Sequence, residues 1–226
     1  APLIKAIAPA CPTVKRWVQM CDESAMPSEP AVTGCLNYEA LIKDASDHYV
    51  WPQLDENAAS GLCYTSGTTG NPKGALYSHR STVLHAMAAC TPDALGLSSR
   101  DTILPVVPMF HVNAWGIPYI ALMTGAKMVM PGGALDGASI YELLESEKVN
   151  FSAGVPTVWL GLLNHVQQNG LKFTYFNRTV IGGSAAPAAM IKTLNSLGVE
   201  VIHAWGMTEL SPLGTVCRLK AQHLDL

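Results

Sequence analysis

The chain has 226 residues, of which 49% are hydrophobic and 14% are charged, and this balance is typical of a globular protein with a sizeable core. A net charge of −3 excludes the broad basic surface that nucleic-acid-binding proteins carry. Six cysteines without a Cys-x-x-Cys pair exclude a disulfide scaffold, and they predict reduced, mostly buried thiols in a cytoplasmic protein.

The first sixty residues predict a less regular lead-in. Short apolar stretches alternate with Pro, Ser and acidic residues, and the pattern indicates a strand within residues 13–20 and a helix over residues 37–46. No basic stretch followed by an apolar one opens the chain, so no signal peptide is predicted.

A short predicted strand, residues 62–65, leads into the most informative segment, which reads Tyr64-Thr65-Ser66-Gly67-Thr68-Thr69-Gly70-Asn71-Pro72-Lys73-Gly74. Glycines allow backbone N–H groups to turn toward an anion, hydroxyls add donors, and the lysine adds a positive charge. The segment therefore predicts a polyphosphate site, with a plain surface turn as the alternative. It is not a Walker A loop, because Asn71 and Pro72 separate Gly70 from Lys73.

The next elements include the longest uncharged run of the chain. Residues 75–78 predict a strand, and residues 79–89 a helix with Val83, Leu84 and Met87 at core spacing. The run between Asp101 and Lys127 is long enough to cross a membrane, but polar residues and prolines interrupt it. We therefore predict no transmembrane segment here, but a strand over residues 102–107 and a buried helix over residues 115–124.

The remaining elements alternate between strand and helix. Strands are predicted over residues 127–130, 150–154, 177–181 and 200–203. Helices are predicted over residues 138–148, 157–168 and 188–197, with Asp136 as the N-cap of the first and Gly198 as the C-cap of the last. This alternation predicts an α/β fold, a mostly parallel β-sheet flanked by helices. Ligands of such sheets bind at the carboxyl ends of strands, where we expect the phosphate segment and two further motifs.

The two further motifs follow the last two predicted strands. They read Gly182-Gly183-Ser184-Ala185-Ala186-Pro187 and Trp205-Gly206-Met207-Thr208-Glu209. Small residues let a flat ligand approach the backbone, and a carboxylate such as that of Glu209 is a hard oxygen ligand for Mg²⁺. The alternatives are a plain strand-to-helix turn and a solvated surface carboxylate. His111 lies in an apolar run, where a hydrogen-bonded core histidine is the alternative to a functional one.

These motifs carry a family resemblance. The segment at residues 64–74 resembles the phosphate-binding signature of adenylate-forming enzymes, which include acyl-CoA synthetases, luciferases and peptide-synthetase adenylation domains. The Trp205–Glu209 stretch resembles the second signature of the same family, with Trp205 in place of the more usual tyrosine. The segments at residues 108–115 and 182–187 are most similar to those of medium- and long-chain fatty acyl-CoA synthetases. The resemblance covers nearly the whole chain and is clearest over residues 61–212.

The resemblance implies roles for named residues. Catalytic roles fall to His111, Thr208, Glu209 and Lys73. Contacts to ATP or AMP fall to Thr65, Ser66, Gly67, Thr68, Thr69, Gly70, Lys73, Gly183, Ser184, Ala185, Trp205, Gly206, Met207 and Thr208. An acyl site is implied at His111, Trp115 and Gly182, and a Mg²⁺ site at Thr65 and Glu209. His79, His85, His165 and His48 lack the spacing of metal ligands, and Arg80 and Arg178 are interpreted as surface or capping residues.

The resemblance also implies a reaction and a domain arrangement. It predicts a fatty acyl-CoA ligase core that uses a fatty acid, ATP, Mg²⁺ and CoA. Residues 1–226 would be part of the N-terminal domain, with 1–60 as lead-in and 61–226 as the α/β core, and the family's C-terminal lid domain would be absent. Two alternatives stay open, namely a ligase for an aryl or short-chain acid and an isolated nucleotide-binding fragment without turnover. A homodimer and peripheral membrane contact are compatible with this reading.

Overall fold

A computed structural model of the chain describes residues 2–65 and 70–223. By its internal contacts the chain divides after Gln53 into two compact units. Our predicted boundary between lead-in and core, at residues 60 and 61, stays a prediction.

The first unit is made of short elements. It contains α1 (Pro2–Ile7), β1 (Val18–Gln19), β2 (Leu36–Asn37), α2 (Tyr38–Ile42) and 3-10 turns at Ala8–Ala10 and Glu23–Ala25. The strand predicted within residues 13–20 is thus two residues long, and it pairs in parallel with β2. The helix predicted over residues 37–46 is α2 alone, with Asn37 as its N-cap accepting a 2.8 Å hydrogen bond from the Ala40 amide.

A parallel sheet is the centre of the second unit. Within the described residues its six strands lie in the order β10-β9-β8-β7-β5-β6, and every neighbouring pair is parallel except β10 with β9. The strands are β5 (Thr102–Pro105), β6 (Lys127–Met128), β7 (Phe151–Gly154), β8 (Arg178–Ile181), β9 (Glu200–Gly206) and β10 (Leu213–Val216). The predicted α/β class with a mostly parallel sheet is confirmed.

Helices cover both faces of this sheet. They are α3 (His79–Cys90), α5 (Ile117–Thr124), α6 (Gly137–Ser146), α7 (Pro156–Gln168) and α8 (Ala188–Ser196), and 3-10 turns lie at Thr208–Leu210 and Ala221–His223. Ile103 and Val180 face a core shared with α3 and α5, whereas the next residues, Leu104 and Ile181, face a core shared with α6, α7 and α8. Successive strand side chains point to opposite faces, so a strand covered on both sides is largely apolar. The two polar residues buried in the central strands, Ser152 and Thr179, donate hydrogen bonds to the carbonyl oxygens of Leu104 at 2.5 Å and Ser152 at 3.2 Å.

Helix α3 presents its core face differently from the prediction. Val83, Leu84 and Met87 are 48%, 50% and 55% exposed, so their assignment to the core is wrong. Ala86 and Ala89 are fully buried in their place. Because alanine is small, these two positions let α3 lie close to its neighbours. The spacing of apolar residues along a helix does not by itself reveal which of two apolar faces is buried.

A hairpin stands apart from the main sheet. Strands β3 (Ala59–Thr65) and β4 (Lys73–Ser78) pair antiparallel in a two-stranded sheet of their own. The expectation that the phosphate segment follows a strand of the parallel sheet is therefore wrong. The other two motifs lie at the carboxyl ends of parallel strands: residues 182–187 come after β8, whereas Trp205 and Gly206 are the last residues of β9 itself.

Three further expectations can be compared with the described residues. The prediction of mostly buried thiols is wrong. All six cysteines lie within the described ranges, and only Cys63 among them is buried. The surface interpretation of Arg178 is also wrong, since its guanidinium pairs with the buried carboxylate of Asp101. No helix in residues 2–65 and 70–223 is both long and apolar enough to cross a membrane.

Candidate active site

A cavity of about 640 Å³ lies where the hairpin meets the parallel sheet. Its apolar lining includes Ala153, Val180 and Ala204 from three successive strands, β7, β8 and β9, together with Leu95, Ile117 and Leu213. Its polar lining consists of Thr65, Lys73, His85, His111, Thr208 and Glu209. The volume falls in the range of about 300–1,000 Å³ that is common for small-molecule sites.

The hairpin brings Thr65 and Lys73 together across the cavity wall. These residues are direct partners in the antiparallel register, and the Thr65 hydroxyl lies 3.4 Å from the Lys73 carbonyl oxygen, which accepts its hydrogen bond. The hairpin thus presents a hydroxyl and an ammonium group at the two ends of the segment that joins its strands. Ser66, Gly67, Thr68 and Thr69 lie outside the described residues.

The inner face of the hairpin contacts the signature at Thr208. Tyr77, buried on β4, donates its phenolic hydrogen to the Thr208 carbonyl oxygen at 2.5 Å. Burial, with smaller contributions from Cys63 and Glu209, raises the pKa of Tyr77 to about 12. The phenol therefore remains a neutral hydrogen-bond donor throughout the physiological pH range.

The segment between His111 and α5 has a left-handed backbone. The element α4 (Val112–Trp115) has φ values of 43°, 54°, 51° and 57°, and Gly116 follows at 72°. L-residues pay about 1–2 kcal/mol each for this conformation, and such strain is concentrated at functional sites. The predicted helix over residues 115–124 accordingly begins only at Ile117. The turn places both His111 and Trp115 in the cavity lining.

Trp115 packs on the glycine pair that follows β8. A Cβ atom added at Gly182 would lie 3.2 Å from the Trp115 ring and 3.0 Å from the Ala204 carbonyl oxygen. Gly183 has a φ of +77°, which favours glycine for a second reason. The absence of side chains at both positions therefore lets the indole lie against the strand end.

Two glycines also allow close packing around the stretch Trp205–Glu209. A Cβ at Gly206 would lie 2.2 Å from the Pro212 carbonyl oxygen, so glycine is needed for the close approach of the returning chain. A Cβ at Gly214 of β10 would lie 2.7 Å from the Trp205 ring, so that ring rests on bare backbone. The chain after the signature thus fixes the orientation of Trp205, which lines the cavity.

His85 is a cavity residue that sequence reasoning missed. It lies on α3, and its ring is so close to Gly116 that a Cβ there would meet it at 2.7 Å. Burial lowers the pKa of His85, which favours the neutral imidazole. Its Nε2 atom is buried and has no hydrogen-bond partner among the described residues. Only the fold brings α3 to the cavity, so spacing along the sequence gave no signal.

The donor set fits a Mg²⁺ ion that is shared with a substrate rather than held in a protein cage. No group of three or more His, Cys, Asp or Glu side chains suited to a metal occurs in the part of the chain that the structure describes. Glu209 and Thr65 nevertheless line one cavity and supply a carboxylate and a hydroxyl. Mg²⁺ is commonly bound through one or two carboxylates, substrate phosphates and water, which matches this set.

Comparison with known proteins decides the family. The model of a family described as "AMP-binding enzyme" matches residues 8–225. The chain belongs to the AMP-binding enzyme family. Within the described residues, Thr65 and Lys73 of the first motif and residues 205–209 of this member of the family line the cavity.

Two curated relatives are similar over the full chain. A medium-chain-fatty-acid–CoA ligase of Ectopseudomonas oleovorans is 58% identical over 226 residues, which are 100% of this chain and 41% of that protein. A 3-methylmercaptopropionyl-CoA ligase of Ruegeria lacuscaerulensis is 50% identical over 228 residues, 100% of this chain and 42% of that protein. The AMP-binding chain thus spans about two fifths of the length of these relatives.

A solved structure supports the same assignment. The inhibitor-bound N-terminal domain of FACL13 from Mycobacterium tuberculosis is 28% identical, with a TM-score of 0.70 over 84% of this chain and 48% of that one. The predicted resemblance to the N-terminal domain of adenylate-forming enzymes is confirmed.

The cavity brings together most of the predicted site residues. Its lining includes Thr65, Lys73, His111, Trp115, Gly182, Gly183, Trp205, Gly206, Met207, Thr208 and Glu209. The described lining does not include Gly70, Ser184 or Ala185, whose nucleotide contacts stay predictions. The roles of all these residues are hypotheses that the geometry makes testable.

Proposed function

We propose that the protein activates a medium- or long-chain fatty acid with ATP and transfers the acyl group to CoA. The carboxylate oxygen would attack the α-phosphorus of ATP, which forms acyl-AMP and releases pyrophosphate. The CoA sulfur would then attack the acyl carbon, which forms the thioester and releases AMP and the thiol proton. This reaction makes the protein an AMP-forming acid–thiol ligase.

One observation carries this proposal. A single cavity of about 640 Å³ brings Thr65 and Lys73, which flank the phosphate segment, together with the stretch at residues 205–209 and an apolar lining that includes Ala153, Val180 and Ala204. A fatty acyl-adenylate needs this combination, because one half is a charged nucleotide and the other half an alkyl chain. The identity to a medium-chain-fatty-acid–CoA ligase supports the same substrate class.

The lining residues supply the chemistry that joins two anions. Lys73 would hold the β- and γ-phosphates, and Thr208 would donate a hydrogen bond to the α-phosphate. His111 would stabilise the charge that develops as the carboxylate reaches phosphorus. Mg²⁺, bound through Glu209 and Thr65, would neutralise phosphate charge.

The remaining lining residues would orient the two halves of the adenylate. Trp205 would stack on adenine, because either an indole or a phenol ring can do so. Gly183 would let the base approach the backbone. Trp115 and Gly182 would border the entrance of the acyl chain, since the indole packs directly on that glycine.

A bisubstrate analogue tests whether one cavity holds both halves. We expect dodecanoyl-sulfamoyl-adenosine to bind the native protein carrying this sequence more than about a hundredfold tighter than AMP, because each buried CH₂ contributes about 0.8 kcal/mol. Gly182→Val should abolish that increment and preserve AMP binding, since the new side chain enters the space beside Trp115. Gly133→Val is the matched control, because a Cβ there meets nothing within 4 Å. Equal affinities for the analogue and AMP, measured by titration calorimetry, would contradict the proposal.

A second candidate substrate is a short thioether acid. The 50% identity to a 3-methylmercaptopropionyl-CoA ligase favours it, and it keeps the same adenylation chemistry. Binding of the analogues carrying 3-methylmercaptopropionyl and dodecanoyl groups separates the two candidates.

We also propose the partners and the location of the enzyme. Its partners would be the fatty acid, ATP and CoA, in the cytoplasm. A homodimer and peripheral membrane contact stay predictions.

A further inference from the structure

We propose that Tyr77 is a positioning residue, which fixes Thr208 and Glu209 relative to the phosphate-binding hairpin. The inference rests on the proposed function, in which Thr208 contacts the α-phosphate and Glu209 holds Mg²⁺. Tyr77 itself would touch neither ATP nor the metal.

The geometry joins two parts of the chain that are 131 residues apart. Tyr77 and Lys73 lie on the same strand, β4, whose register with β3 is continuous from Gly61 to Thr65. The Tyr77 side chain is 6% exposed and packs with Cys63 and Val112, so its ring has a defined position. Its hydroxyl reaches the Thr208 carbonyl oxygen at 2.5 Å. One hydrogen bond therefore relates the strand that carries Lys73 to the turn that carries Glu209.

The turn has limited support of its own. The 3-10 turn Thr208–Leu210 is three residues long, and Glu209 is exposed. Within and beside it, the Leu210 amide donates to the Met207 carbonyl at 2.9 Å, while the Ser211 amide reaches the Thr208 carbonyl only at 3.4 Å. The Thr208 carbonyl oxygen therefore accepts from two donors, the Tyr77 hydroxyl and the Ser211 amide, and the hydroxyl is the closer one. Its loss would allow the turn to shift relative to Lys73 and would misplace the carboxylate that holds Mg²⁺.

The experiment replaces Tyr77 with Phe in the native protein that carries this sequence. The ring still fills its site beside Cys63 and Val112, and only the hydroxyl is lost. Because one hydrogen bond to the turn is lost, we expect the Mg²⁺ concentration for half-maximal ATP–pyrophosphate exchange to rise about fivefold. The KM for the fatty acid should stay within about twofold of the wild-type value, because Tyr77 lies on the phosphate side.

Tyr141→Phe is the matched control. The Tyr141 hydroxyl also donates to a backbone carbonyl, that of Lys172 at 2.9 Å, but it lies outside the cavity lining. This variant should leave the Mg²⁺ dependence unchanged. A merely structural role of Tyr77 would lower the unfolding temperature without a selective change in Mg²⁺ dependence. Incorporation of 4-aminophenylalanine at position 77 keeps a hydrogen-bond donor on the ring. It should return the Mg²⁺ concentration for half-maximal exchange to the wild-type value.

The outcomes separate this inference from the proposed function. A folded wild-type protein without exchange activity for any acid would overturn the proposed function and this inference together. An active wild type with the same Mg²⁺ dependence in Tyr77→Phe and Tyr141→Phe would overturn the positioning role alone. Should Tyr77→Phe fail to fold, variants with 4-aminophenylalanine and 4-methylphenylalanine at position 77 decide, since both fill the site of the ring and only the first keeps a donor. A Mg²⁺ dependence about fivefold weaker in the second variant than in the first supports the role, and equal dependences overturn it.

Discussion

Replacement of Lys73 by Met or of Glu209 by Gln should lower ATP–pyrophosphate exchange by about 10²–10³-fold, the loss that follows removal of one electrostatic contact to a developing charge. Both side chains line the cavity. In the proposed reaction Lys73 would neutralise phosphate charge and Glu209 would hold Mg²⁺. Exchange measured at saturating fatty acid in the native protein reports this step directly.

The chain offers a matched pair of controls. Lys127 and Glu147 form an exposed ion pair at 2.6 Å that does not contribute to the cavity lining. Lys127→Met and Glu147→Gln make the same chemical changes and should leave exchange within about twofold, since exposed pairs contribute little. Near-normal exchange in both cavity variants would contradict the assigned roles of Lys73 and Glu209.

Replacement of Asp101 by Ala should destabilise the fold by about 3–5 kcal/mol, because it leaves the Arg178 guanidinium without its partner in a largely buried site. Asp101 is 5% exposed and accepts hydrogen bonds from the Ser98 amide at 2.7 Å and from the Asn150 side chain at 3.0 Å, besides its pair with Arg178. Asn150 in turn accepts from the Thr102 amide at 2.9 Å. The network therefore joins the first residues of β5 and β8. The other end of β8 leads directly into Gly182 and Gly183, which line the cavity.

The exposed pair of Arg80 and Glu56 is the control for this prediction. Their side chains are 52% and 61% exposed, so solvent screens the pair and Glu56→Ala should cost no more than about 1 kcal/mol. Denaturant unfolding of both variants measures the difference in the free energy of unfolding. Equal losses would show that the Asp101 network does not stabilise the sheet.

Local signals were sufficient for five of the six described strands of the main sheet, but they did not predict β10 (Leu213–Val216). Alternation of β-rich and helical stretches predicted β7 and β8 to within one residue, whereas the strand predicted over residues 200–203 ends three residues before β9 does. The anion site indicated by residues 64–74 stays a prediction. Asp136 marked the start of α6 correctly, because an N-cap acts within one helical turn.

Non-local geometry was beyond the reach of sequence reasoning. Tyr77 and Thr208 are 131 residues apart, and His85 reaches the cavity only because α3 packs beside Gly116. The left-handed turn at Val112–Trp115 contradicts the intrinsic preference of Val, Ala and Trp, so local propensity gave no sign of it and placed the helix start at residue 115, two residues before the observed start of α5. The hairpin was missed as a separate sheet because a short strand does not reveal its partner.

The most direct test of the account is ATP–pyrophosphate exchange by the native protein that carries this sequence, measured with a panel of short, aryl, medium and long carboxylic acids. We predict exchange that requires Mg²⁺ and is fastest with medium- or long-chain fatty acids. Exchange with short or aryl acids alone would contradict the proposed substrate, and no exchange with any acid by a folded protein would contradict the ligase function itself.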